Sequence, residues 1–209
     1  MRIAPLAVLL IPCAGSNLLA QAIPIQDFVR GVHYHGVPYD EARRYPASQV
    51  PALLKLLADP AESPHWVKVV AVLGMIGDES VAGPLIAFAR QGSGMLTPDE
   101  YRAKTTVLLA LGYLANRTRS RVALDYLLAS ANAEEWNTRG LRWSSPFHAT
   151  VAEQNARLSS TALLGLALSG APAAGELLRT LPNQEVYREF QAIARLGLSR
   201  YYARSRALR

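Results

Sequence analysis

The amino-acid sequence predicts an all-α protein, a right-handed α-solenoid of about four antiparallel helix pairs, and three observations carry that prediction. Apolar residues recur at helical spacing between Pro, Gly and Asp/Ser punctuation, and no stretch alternates apolar and polar residues as a half-buried strand would. The helix pairs repeat along the chain, with glycines at Gly74, Gly112, Gly165 and Gly197 in equivalent places. The second helix of the first pair, residues 66–76, is apolar nearly all round, as a helix must be when neighbours contact it on two sides.

The bulk numbers allow such a fold. A chain of 209 residues buries roughly 70% of the surface it exposes when unfolded, enough to stand without disulfides or metals. Half of its residues are hydrophobic and 18% are charged, which excludes wholesale disorder. The formal charge of +6 is a mild basic excess.

The chain opens on MRIAPLAVLLIPCAGSNLLAQA, with Arg2, an apolar run from Ile3 to Ile11, and Ala20-Gln21-Ala22. That order predicts a secretory signal peptide over residues 1–22, cleaved after Ala22. The apolar run is shorter than the ~20 residues a membrane-spanning helix needs. Leu10-Ile11-Pro12-Cys13 resembles a bacterial lipobox, but Pro12 stands where a small residue is required, which argues against lipid anchoring through Cys13. With the only cysteine lost on cleavage, the chain suits export to the periplasm or surface of a bacterium. Residues 23–46 are polar and aromatic and are expected to cap the first repeat, ahead of a repeat domain over 47–209.

Helices are expected in order. VPALLKLLA (50–58) carries an apolar stripe and ends at Asp59-Pro60. Ser63-Pro64 reads as a cap opening a helix over about 64–76, stopped by Gly77. Ser80 caps a third helix to Arg90, and the T-x-x-E box at Thr97 starts a fourth that runs to Asn116. Further helices are expected at 120–131, 150–169, 172–181 and 184–204. The first helices of the pairs match as VPALLKLL (50–57), AGPLIAFA (82–89), VALDYLLA (122–129) and AAGELLRT (173–180). The second helices match as VVAVLGMIGD, VLLALGYLAN, ALLGLALSG and AIARLGLSR, with glycine spacings of 38, 53 and 32. The irregular spacing reflects an interruption, read as a long loop over 132–150.

The x-L-G-x-I-G-D ending after a helix pair resembles the HEAT repeat, in particular the HEAT-like variety also found in phycobilin lyases. The resemblance spans about residues 47–205, strongest at 69–78, and departs where Gly165 is followed by LALSG and Gly197 by LSR. It implies a stacked-helix scaffold that binds other proteins, with a lyase-like enzyme of the same group as an alternative.

Chemistry-bearing patterns are sparse. His33 and His35 form an H-x-H with no local third ligand, and Asp78-Glu79 sits where acids start the next helix, so no catalytic, cofactor or metal residues are assigned. Asn116-Arg117-Thr118 matches an N-glycosylation acceptor. Two features suggest binding. The interruption holds Trp136, Trp143 and Phe147 with Arg139, Arg142 and His148 between them, residue types that dominate interface hot spots. The terminal helix carries Arg195, Arg200, Arg204, Arg206 and Arg209 without an acid, which suits an anionic surface or polyanion, with nucleic acid disfavoured by export. Projecting the Gly74 register places His65, Lys68 and Met75, then Thr106 and Tyr113, then Ser159, then Arg188, Gln191 and Arg195 on one outward stripe. The expected function is a non-enzymatic protein-interaction scaffold in the bacterial envelope, binding an unidentified protein partner across that stripe and the 132–150 segment. No cofactor is implied, and the oligomeric state stays open.

Overall fold

The computed structural model describes residues 23–34, 36–92, 94–144 and 150–179, and most of these are helical. Helix α1 (Ile25–Arg30) and the short α2 (Tyr39–Ala42) precede α3 (Val50–Ala58), α4 (Trp66–Ile76) and α5 (Ala82–Arg90). Strand β1 (Gly94–Leu96) leads into α6 (Pro98–Thr118), followed by α7 (Arg121–Ser130) and α8 (Ala133–Arg139). Strand β2 (Leu141–Trp143), α9 (Val151–Ser169) and α10 (Pro172–Arg179) complete the described chain. The signal peptide over 1–22, with Cys13, and the helix expected over 184–204 lie outside the described residues.

Helix starts follow local hydrogen-bond chemistry. Thr97 and Glu100 form the expected capping box: Thr97 N–H donates to Glu100 Oε2 at 2.7 Å, and Glu100 N–H donates to Thr97 Oγ1. Thr150 and Glu153 repeat the arrangement at the start of α9. Ser120 caps α7 through Ala123 N–H. Two starts differ from expectation. Helix α4 begins at Trp66 because Asp59, not Ser63, accepts an N–H (from Ala61, 2.9 Å) and caps a tighter turn over Pro60–His65. Ser80 donates rather than caps: both its N–H and its hydroxyl bond to Asp78 Oδ1 in the turn before α5.

Helices α4, α6 and α9 form the centre of the core. Their contacts pair Gly74 with Ala110, Ile76 with Arg117, Gly112 with Gly165 and Asn116 with Ser169. Partner numbers rise together, so the three helices run parallel. The approach is close because the meeting residues are glycines. A Cβ on Gly74 would lie 2.6 Å from Ala110 Cα. One on Gly112 would lie 3.0 Å from Gly165 Cα and nearer still to its carbonyl oxygen, and one on Gly165 would meet the Leu108 carbonyl in the same way. Helices α3, α5 and α7 pack behind α4, α6 and α9. Leu53, Leu73, Leu85, Leu108, Leu111, Leu127 and Leu166 are fully buried.

The segment expected as a loop over 132–150 contains α8 and β2 in its described part. Strand β2 pairs in parallel with β1, Gly94 opposite Leu141 and Leu96 opposite Trp143. The absence of strands expected from the sequence is thereby corrected, since three residues are too few for alternation to show. Among the described residues no helix is long and apolar enough to cross a membrane.

Two outcomes follow. Gly112→Ala and Gly165→Ala should each lower stability by about 3 kcal/mol or more through overpacking against backbone. Gly175→Ala, whose Cβ would meet nothing within 4 Å, should raise it by up to about 1 kcal/mol as a helix-interior exchange. Urea midpoints of the three variants check the contrast. Glu100 and Asp78 are both held below the usual carboxylate range, Glu100 by hydrogen bonds from Thr97 and Asp78 by those from Ser80. A depressed folded-state pKa means the unfolded chain binds the proton more tightly. The stabilisation is therefore complete above about pH 4.5 and lost as pH falls through the folded values. Glu100→Gln, which removes the titrating group and not the Thr97 N–H that depresses it, should flatten part of that acid-side loss of melting temperature.

Candidate interaction surface

The aromatic and basic residues of the 132–144 segment are drawn inward. Helix α8 starts at Asn132, whose Oδ1 accepts from Glu134 N–H, and ends at Gly140, whose φ of 64° is the left-handed conformation that glycine adopts freely. Trp136 is 3% exposed, and its indole N–H donates to Ser130 O at 2.7 Å. The Arg139 guanidinium lies 4.2 Å over the Trp136 ring and 4.9 Å over Tyr126, donates to Tyr126 Oη at 2.9 Å and to Ser130 Oγ, and pairs with Glu135. Burial pushes the Tyr126 phenol up, against the pull of Arg139 and Arg90. Trp143 stacks on Tyr101 with ring centroids 3.9 Å apart. Its backbone N–H and C=O are matched by the Gln154 side-chain amide, which acts as a one-residue substitute for a further strand. Arg142 Nη1 donates to its neighbour's carbonyl, Leu141 O.

These contacts redirect the binding role expected of Trp136, Arg139, Arg142 and Trp143. Three of the four are joined to α6, α7 and α9, and the rings that hot spots use for partners are spent on the fold. Phe147 and His148 lie outside the described residues. His33 is likewise structural, its Nε2 within 2.9 Å of Phe28 O and its ring against Phe28, while His35 is outside the described residues.

The stripe expected on the second helices divides. Ser159 is 7% exposed, and its hydroxyl donates to Ala131 O, so it faces α7 and α8 rather than outward. Met75 is 9% exposed, also a correction. His65, Lys68, Thr106 and Tyr113 are half-buried. Lys68 Nζ donates to Gly31 O at 2.6 Å, and burial pushes its ammonium below the ordinary range. The Tyr113 ring packs on Tyr39 with centroids 5.8 Å apart. His65 Nδ1 is buried with no hydrogen-bond partner. Arg188, Gln191 and Arg195 lie outside the described residues.

The open part of the face lies further along. On α6, Arg102, Thr106, Leu109 and Tyr113 are exposed or half-buried at spacings of three and four, so they share one side of the helix. Thr106 lies about 200° around the helix from Lys104, whose buried ammonium donates to Phe88 O and Gln91 O at the end of α5. The line therefore points away from the outer helices. On α9 the corresponding positions are Arg157, Ser160, Leu164 and Leu168. Lys104, Tyr39 and Gln154 were not singled out by sequence. None of the three left a signal: Lys104 sits among Glu100, Arg102, Thr105 and Thr106, ahead of the apolar run that starts at Val107.

The fold and this face define an all-α protein with one side of its central helices accessible. No protein-family model, curated protein or solved structure matches the chain. Among the described residues no three His, Cys, Asp or Glu side chains converge in a way that could hold a metal ion.

Arg139→Met should cost about 3 kcal/mol, because it removes the charged donor shared by Tyr126 Oη and Ser130 Oγ together with its contacts over the Trp136 and Tyr126 rings. Arg142→Met should stay within about 0.5 kcal/mol, in line with replacements that break no tertiary contact. Thermal melts of the two variants separate a structural segment from a binding one.

Proposed function

We propose that the chain is a HEAT-like α-solenoid that acts as a non-enzymatic scaffold, exported to the bacterial envelope, and that it holds a protein partner along the accessible side of its inner helices. The observation that supports this most directly is the line Arg102, Thr106, Leu109, Tyr113 on α6 beside Arg157, Ser160, Leu164, Leu168 on α9. It mixes half-buried leucines, a tyrosine, hydroxyls and arginines, the composition of a protein-binding patch with an apolar centre and a polar rim. The parallel central helices keep it continuous, and stacked helix pairs use such extended surfaces for partners.

The arginines that would serve an anionic surface lie outside the described residues. No described constellation favours a lyase-like reaction.

A photo-crosslinking residue placed at Thr106 or Ser160 should trap one and the same protein in the producing cells. The same residue at Ala87 or Asp125, exposed on the outer helices, should trap none. Equal trapping from both sides, or from the outer side only, sinks the assignment of the face.

A further inference from the structure

Sulfur is scarce in this chain, and its two sites beyond the expected signal peptide differ sharply in environment. Cys13 lies within that peptide, so from residue 23 onward the sequence holds sulfur only in Met75 and Met95. Met75 follows Gly74 in α4 and is 9% exposed. Met95 is the middle residue of β1 and is 71% exposed. The three tryptophans, which strong oxidants also attack, are each at most 9% exposed. An oxidant that meets the folded chain therefore finds one open sulfur.

The strand pairing decides what lies beside that sulfur. Met95 is opposite Arg142 in the parallel ladder. Neighbouring strands run about 4.8 Å apart, and residues opposite one another project to the same face. Leu96 and Trp143 are buried on one face of the ribbon, and Met95 and Arg142 share the other. Arg142 Nη1 donates only to the carbonyl of its own neighbour, Leu141, and the guanidinium has no ion pair among the described residues. A guanidinium carries five N–H donors, so others remain available here. The thioether facing them is a weak acceptor, and little joins the two side chains as they stand.

We propose that Met95 is an oxidation site whose sulfoxide is held by Arg142, so that oxidation fastens β1 to β2 with a side-chain bond the reduced chain lacks. The oxidant is a peroxide. Its O–O bond breaks, one oxygen forms the S–O bond with a lone pair of the Met95 sulfur, and the other leaves as water or an alcohol. Sulfur gives up two electrons and the peroxide takes them. The sulfoxide oxygen is a far better acceptor than the thioether, and a guanidinium N–H makes the bond to it charge-assisted. Met95 is already exposed, so its new polarity costs no burial, whereas the same change at Met75 would put a polar group inside α4. The two strands come from distant parts of the chain, and the added bond ties the α8–β2 segment to the turn between α5 and α6. Oxidation at this place tightens the fold instead of damaging it.

The folded full chain is treated with millimolar hydrogen peroxide, and peptide mass spectrometry and thermal melting are read along the time course. Met95→Leu and Arg142→Met chains are treated in parallel. Met95 should convert at least about tenfold faster than Met75, in line with their exposure. Its conversion should raise the melting temperature by about 2 °C, the size expected of one added surface bond in a chain of this length. Methionine sulfoxide reductase should then return the melting temperature to its starting value. Neither variant should show the rise, because one lacks the sulfur and the other the guanidinium. Equal conversion of Met75 and Met95 overturns the proposal, since the site would not be selective. So does an oxidised chain that melts at or below the reduced one. A full rise in Arg142→Met shows that Arg142 does not hold the sulfoxide, and a full rise in Met95→Leu places the effect at another group; either result overturns it. Should Arg142→Met melt far below the parent before oxidation, Arg142→Lys takes its place. With a single ammonium for the guanidinium fork, it must show a smaller rise than the parent or the proposal fails.

Discussion

The contact on which the rest of this structure depends is the approach of α6 to its two neighbours through residues that have no side chain to interpose. Gly112 lies against Gly165, and Gly165 lies against the Leu108 carbonyl. Backbone meets backbone, and the helices are held closer than a leucine interface would allow. That spacing determines which residues lie behind and which in front. Leu108, Leu111 and Leu166 are fully buried, while Thr106, Leu109 and Tyr113 are turned to the other side. A glycine in a helix interior costs about 1 kcal/mol against alanine, and here close packing offsets it.

A second set of interactions secures the ends. Lys104 takes two carbonyls at the end of α5, Asn116 takes Ser169 O at the end of α9, and Arg117 takes Ile76 O at the end of α4. Each is a side chain of α6 satisfying the carbonyls that a neighbouring helix leaves over. Helix α6 is therefore both the tightest-packed helix and the one that completes its neighbours. Around α8 the same economy appears in another form, with Arg139 serving two rings, a phenol and a hydroxyl at once. A guanidinium so placed is more fastener than probe.

Much of the helical order was legible because its signals are local. Thr97 with Glu100, Ser120, and the alternation of apolar runs with Gly or Pro need no tertiary knowledge. The meeting of Gly74, Gly112 and Gly165 with neighbouring helices was legible too, because a residue that weakens a helix, repeated at one place in successive helices, points to close approach. Sequence could not show that β1 and β2 pair, since the strands are far apart in the chain and three residues long. Nor could it show which way Trp136, Arg139 and Trp143 point. The same residue types serve hot spots and cores, and only the positions of Ser130, Tyr126, Tyr101 and Gln154 decide between them. The outward stripe failed at Ser159 for a related reason. A register carried from α4 to α9 ignores α8, which packs against α9 and turns that position inward.

Asn116 belongs to an acceptor tripeptide for N-linked sugar, yet in the fold it is 6% exposed and its amide nitrogen is bonded 3.0 Å from Ser169 O. A glycosyltransferase meets a chain before it folds, and burial offers no protection at that moment. Produced through a eukaryotic secretory route, this chain would carry a glycan on the very nitrogen that ties α6 to α9, about one helical turn beyond the Gly112–Gly165 contact. The sugar would displace the Asn116–Ser169 bond at this buried end of the α6–α9 seam, so the choice of host would set how firmly the two helices are joined.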